Sequence, residues 1–220
     1  MSYLRSKAHP SGSTPMLRNL PNESVLTFGT VVVPDARGKG LQKLLLEKRI
    51  EVAQSLGKET LIGSFYGENG ASARTVFNVG GRVLLYEDDK SQLIFEVDTT
   101  VLNHDEEEID VKDAKTPGAA LEALERGDER IIVLIKSLGR DGADIAARQA
   151  IMEILARDYV GTAIETLDTD ADGVRTNGLL FRHFSSFPSD VAKRLRERKE
   201  KVKSLLYGLP YNNGVRTLNK

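Results

Sequence analysis

The chain has 220 residues, 40% of them hydrophobic, and 31 basic against 32 acidic side chains leave a formal charge of -1; this allows a buried core and excludes a global field that would attract nucleic acid or an acidic membrane. With no cysteine, disulfides, thiolate zinc sites and a cysteine nucleophile are excluded, and a reducing, cytoplasmic setting is expected. No run approaches the roughly 18 apolar residues of a membrane span, and the opening residues lack the apolar stretch of a signal peptide, so no membrane partner is expected.

Residues 1-24 are rich in Gly, Ser and Pro and almost free of periodicity, which predicts an arm that is flexible unless a partner ties it down. From Ser24 the run SVLTFGTVVV is apolar and β-branched, and it stops at Pro34, which cannot donate to a sheet ladder, so a buried strand is expected. Leu41, Leu44, Leu45, Val52, Ala53 and Leu56 then recur at helical spacing, with Gly57 as the stop. ETLIGSFY (59-66) reads as a second strand, NGASARTVFNVG (69-80) as a short helix, and RVLLYE with SQLIFEV as a hairpin.

The acidic stretch 103-115 reads as a linker between a domain at 25-102 and a second one at 116-220. In the second, GAALEALERG predicts a helix and ERIIVLIK (129-136) a buried strand. DGADIAARQAIMEILARDYVGTAIETL reads as long and mostly helical, and PSDVAKRLRERKEKVKSLLYG (188-208) as a helix opened by Pro188 and Ser189 and closed by Gly208. No internal repeat is evident. The expected fold class is α/β, a mixed sheet of strand-helix-strand-helix-hairpin order with a mainly helical α/β extension.

The strand-to-helix turn after Pro34 carries the clearest chemistry. The first amides of a helix point outward with partial positive charge, so a glycine turn feeding a helix suits phosphate oxygens. Gly38 and Gly40 let the backbone approach closely, and Arg37 and Lys39 add charge. A Walker A loop would need glycine where Val33 stands and Ser or Thr where Gly40 stands, and GKGLQK lacks the third glycine of a dinucleotide fingerprint.

VVVPDARGKGLQKLLL resembles instead the coenzyme A segment of the GNAT N-acetyltransferase superfamily, a strand and proline followed by R-x-x-G-x-G/A opening a helix. Arg37, Gly38, Lys39, Gly40, Leu41 and Gln42 take those positions, with Gln42 where the family prefers a small residue. Asn69, Ala73, Phe77 and Gly81 follow as in the family's next helix, and the resemblance covers about residues 25-98. It implies that the backbone of Val31, Val32 and Val33 pairs with the pantetheine arm of acetyl-CoA, that the amides of residues 38-42 hold the pyrophosphate, and that Asn69 lies beside the coenzyme.

The resemblance also has gaps. The family's usual tyrosine acid is matched by Phe77, which leaves Tyr66 as the one candidate for that proton. The strands and helices that the family places before Pro34, which form much of its acceptor site, have only the arm in their place. An uncovered sheet edge then calls for a protein partner or a homo-oligomer. Two functions follow: an acyl-CoA-dependent N-acetyltransferase of unknown acceptor, or a catalytically degenerate structural subunit of a larger assembly, for example a virus particle.

Three other features read as structural. DTDADGVRTNGL (168-179) has Asp168, Asp170, Asp172 and Gly173 at calcium-loop spacing, but Leu179 stands where the closing glutamate is required, so no metal is expected. KRLRERKEKVK (193-203) holds seven basic and two acidic residues and reads as an amphipathic helix with a solvated basic side, nucleic acid being the alternative partner. His183 reads as a core-edge residue, and His9 and His104 fall in the arm and linker.

Overall fold

In Thr60–Tyr66 and Gln92–Asp98 successive side chains leave opposite faces of the backbone. Leu61, Phe65, Leu93, Phe95 and Val97 join one apolar cluster, while Ile62 and Ile94 join another behind the sheet. The computed structural model of the chain describes residues 23–27, 30, 32–66, 69–100, 113–135, 145–169, 171 and 175–207. Val31, the arm up to residue 22, His9, His104 and Gly208 lie outside the described residues, as does most of the acidic stretch.

The strands are β1 (Ser24–Leu26), β2 (Thr60–Tyr66), β3 (Arg82–Glu87), β4 (Gln92–Asp98), β5 (Ala114–Lys115), β6 (Arg130–Ile135), β7 (Tyr159–Thr169) and β8 (Arg175–His183). The helices are α1 (Leu41–Ser55), α2 (Gly70–Phe77), α3 (Pro117–Arg126), α4 (Ile145–Ala156) and α5 (Ser189–Tyr207). All eight strands form one open mixed sheet of order β1-β2-β4-β3-β7-β8-β6-β5. The outer pairs β1/β2 and β5/β6 are parallel, and every other pair is antiparallel. Helices α2 to α4 bury apolar residues in the cluster on one face, α1 adds Leu46 to it, and α5 covers the other face through Leu195 and Val202.

That order is a repeat. Read inward from either edge it is the same, β1-β2-β4-β3 and β5-β6-β8-β7, and the halves meet antiparallel with Val83 opposite Gly161. Each half runs strand, helix, strand, helix, strand, strand, and each lays its second helix across the other's third strand, α2 on β7 and α4 on β3. A pseudo-two-fold axis between β3 and β7 relates them. The sequence echo is short: Gly57, Glu59 and Ile62 recur as Gly127, Glu129 and Ile132, with both glycines left-handed. A strand needs only alternating apolar residues and a helix end only its cap, so the two halves keep one topology with little shared identity.

Three other expectations are corrected. The long segment expected as mostly helical stops being helix at Ala156. After a turn at Arg157 and Asp158, Tyr159, Val160, Thr162, Ile164 and Thr166 supply the β-branched and aromatic residues of β7, which is paired on both sides. Residues 113–135, 145–169 and 175–207 therefore contribute four strands, and these extend the sheet from β3, so that β1 remains an edge strand.

On α1 the helix forms as expected, yet its apolar side is the outer one. Only Leu46 and Ala53 are buried, whereas Leu41, Leu44, Leu45, Val52 and Leu56 are 37 to 61% exposed. The helix packs on β2 and α2, so only that flank is covered.

The basic side of α5 is not simply solvated. Lys199 is buried, and its Nζ donates to the carbonyl oxygens of Arg157 at 2.6 Å and Tyr159 at 2.8 Å. Arg198 donates to Asp98 Oδ2 at 2.8 Å, Arg196 to Asp158 and Lys201 to Glu23. Four of the seven basic residues thus hold the helix to neighbouring strands and turns, while Arg194 and Lys203 pair with Asp190 and Glu200 of the helix itself.

Candidate anion site at the first strand-to-helix turn

The parallel pairing of β1 with β2 ends early. Thr27 N donates to Ile62 O at 2.8 Å, after which β2 continues to Tyr66 while Thr30, Val32 and Val33 lie outside the sheet. The chain then turns through a short 3-10 segment at Pro34–Ala36, where Ala36 N donates to Val33 O and Arg37 N to Pro34 O. Arg37 Nε folds back onto Val32 O at 3.2 Å.

Gly38 and Gly40 are both left-handed, at φ 75° and 71°, a conformation that disfavours other residues. Nothing lies within 4 Å of the Cβ position at either glycine. No side chain caps α1, and its hydrogen-bond ladder begins with Leu44 N on Gly40 O. Among the described residues, the N–H groups of Gly38, Lys39, Gly40, Leu41 and Gln42 thus have no acceptor. Consecutive free donors at a helix start, beside Arg37 and Lys39, are the arrangement that anions generally accept.

The second half provides an internal comparison. There a single residue, Thr116, joins β5 to α3, with its Oγ1 accepting from Ala119 N at 3.4 Å. The architecture is closed at one helix start and open at the other.

Hydrogen bonds tie the open turn to its surroundings. Gln42 Nε2 donates to Ser72 Oγ at 2.8 Å, Ser72 N donates to Asn69 Oδ1 at 3.1 Å, and Asn69 N donates to Tyr66 O at 2.9 Å. The long side chain of Gln42 is therefore drawn aside to α2. Asn69 is the N-cap of α2, and Ser72 is a member of the site that the sequence reading did not single out. Its signal was the Asn-x-x-Ser spacing of a capped helix start. Tyr66 ends β2 with 45% of its surface exposed. Phe77 packs edge-on against Phe65, ring centroids 6.5 Å apart, as part of the core.

Asp168 lies in β7 and Leu179 is fully buried in β8, while Asp170, Asp172 and Gly173 lie outside the described residues. Among the described residues no group of three acidic or histidine side chains could hold a metal, and no helix is long and apolar enough to cross a membrane. His183 packs on Tyr159 and its Nδ1 accepts from Ser185 N, capping a 3-10 turn. Comparison with protein-family models, curated proteins and solved structures finds no match to this chain.

Proposed function

We propose that this chain binds the diphosphate of an acyl-coenzyme A on the amides of residues 38-42 and acts as an acyl-CoA-dependent N-acetyltransferase of GNAT type. The observation that carries the reading is the row of N–H groups from Gly38 to Lys43 that have no acceptor among the described residues, at the fork of β1 and β2. The order of β1 to β4 with α1 and α2 agrees with the resemblance in the sequence. In such a reaction the amine nitrogen attacks the thioester carbonyl, the C–S bond breaks, the amine loses a proton and the thiolate gains one. Tyr66 is the side chain of this chain offered for the second proton. On this reading the backbone of Val32 and Val33, which leaves the sheet after Leu26, would flank the pantetheine arm, with Asn69 on the side of α2.

A second reading, a binding or structural subunit of a larger assembly, is favoured by Phe77, whose ring is core and has no proton to give. Calorimetric titration of acetyl-CoA tests the shared step. The wild type should bind, and Arg37→Ala with Gly38→Asp, which places a carboxylate in the cradle, should lose at least about tenfold in affinity, roughly 1.4 kcal/mol. No heat from the wild type would overturn the proposal. Release of free thiol with a panel of amines separates transfer from binding alone, and Tyr66→Phe should slow that release without changing the calorimetric affinity.

A further inference from the structure

Among the described residues, five of the nine exposed large hydrophobic side chains lie on α1 or at its C-terminal end. Leu41, Leu45, Val52 and Leu56 fall within about 60° of one another around the helix axis, with Leu44 beside them and Lys48 in the middle. All five apolar residues are exposed. The helix stands at the outer end of its layer, packed on β2 and α2, and β5 to β8 extend the sheet from its other end.

From this placement we infer that α1 is the interface of a two-fold dimer, packing antiparallel against α1 of a second copy. The stripe is its own complement. In an antiparallel register centred between Lys48 and Arg49, Leu41 meets the second copy's Leu56 and Leu45 meets its Val52, and the reverse contacts follow by symmetry. Charge selects the same arrangement. Lys48 forms a 2.6 Å pair with Glu51 of its own helix, and the antiparallel register brings the second copy's Glu51 within one turn of Lys48. Both arrangements bring the two Lys48 side chains close together, but a parallel pairing would also abut two turns that each carry Arg37 and Lys39. The antiparallel one sends those turns to opposite ends and opposes the helix dipoles.

The area is sufficient. The five exposed side chains present about 450 Å² per copy, and with the stem of Lys48 the pair buries about 1,000 Å², the lower bound for a specific interface. The dimer would also account for an apolar helix face that an isolated domain leaves in water.

The test uses the full chain. Sedimentation equilibrium at about 100 μM, where an interface of this size should be populated, is expected to give twice the 24.2 kDa chain mass. Leu45→Glu should return it to one chain mass with an unchanged circular dichroism spectrum, because the side chain is exposed and its loss leaves the core intact. Since the protein has no cysteine, introduced thiols report the register. A Leu45→Cys, Val52→Cys double variant should crosslink into a dimer on oxidation. Leu41→Cys alone should not, because two copies of residue 41 lie about 22 Å apart along antiparallel helices. A monomeric wild type, a dimer indifferent to Leu45→Glu, or efficient self-crosslinking of Leu41→Cys would each overturn the inference. So would a monomer whose Leu45→Cys thiol resists maleimide, which would assign the stripe to another segment of the same chain.

Discussion

Replacing Glu96 by glutamine removes one carboxyl charge from beneath α5 while keeping the shape of the side chain. Glu96 stands on β4 opposite Ile62 of β2 and Arg82 of β3, with 1% of its surface exposed and neither carboxyl oxygen hydrogen-bonded. Its nearest partner, Arg198 Nη1, is 3.7 Å away and donates its hydrogen bond to Asp98 instead. Burial therefore outweighs the attraction of Arg198 and Arg82, and the Glu96 carboxyl is pushed up from 4.5 to about 7.

Asp98 goes the other way. Burial acts to raise it, but hydrogen bonds from Thr100 and the charge of Arg198 hold it below its ordinary value. A carboxyl that titrates higher in the folded protein holds its proton more tightly there. Its stabilisation is complete below about pH 4.5 and is lost as the pH rises through 7. The shift corresponds to about 3 kcal/mol. Urea denaturation of wild type and Glu96→Gln at pH 4.5, 6, 7 and 8 should show the wild type losing that amount relative to the variant across the window. All other titrating groups are common to both proteins, so the difference isolates Glu96. Parallel pH profiles would refute the assignment.

At Gly81, an added Cβ would lie 2.3 Å from Val76 Cγ1 and 2.7 Å from Val76 O, so Gly81→Ala should cost about 1–3 kcal/mol and lower Tm by several degrees in calorimetric scans. Lys199 is brought down from 10.5 to about 8, chiefly by burial. With a folded value below the unfolded one, stability is gained as pH climbs through that window, so wild type should gain roughly 2–3 kcal/mol over Lys199→Met between pH 7.5 and 10, read from denaturant midpoints. Asn69→Ala removes the cap of α2 and should cost about 1 kcal/mol of unfolding free energy in the same assay.

Much of the first half was legible in the chain because its signals are local. Alternation in ETLIGSFY and in the hairpin around Asp88–Lys90, Asn69 at a helix start and Gly57 at a helix end each act within a few residues, and β2, β3, β4, α1 and α2 fall where those signals place them, whereas the first strand, expected to reach Pro34, ends at Leu26. The glycine turn was legible for the same reason, since positive φ at Gly38 and Gly40 is a property of the turn itself.

What only the tertiary structure decided concerns partners far apart in sequence. Tyr159 onward could continue a helix by composition, and became β7 because β3 and β8 offer ladders on both sides. The halves join through β3 and β7, so the repeat appears in strand order while the sequence shows little of it. Gln42 is aimed by Ser72, thirty residues away, and Lys199 is buried by carbonyls some forty residues earlier. Helical spacing on α1 announced an apolar face but not its direction. The chain sets the period of burial, whereas the surface that meets each face is chosen by where the whole sheet places its edge.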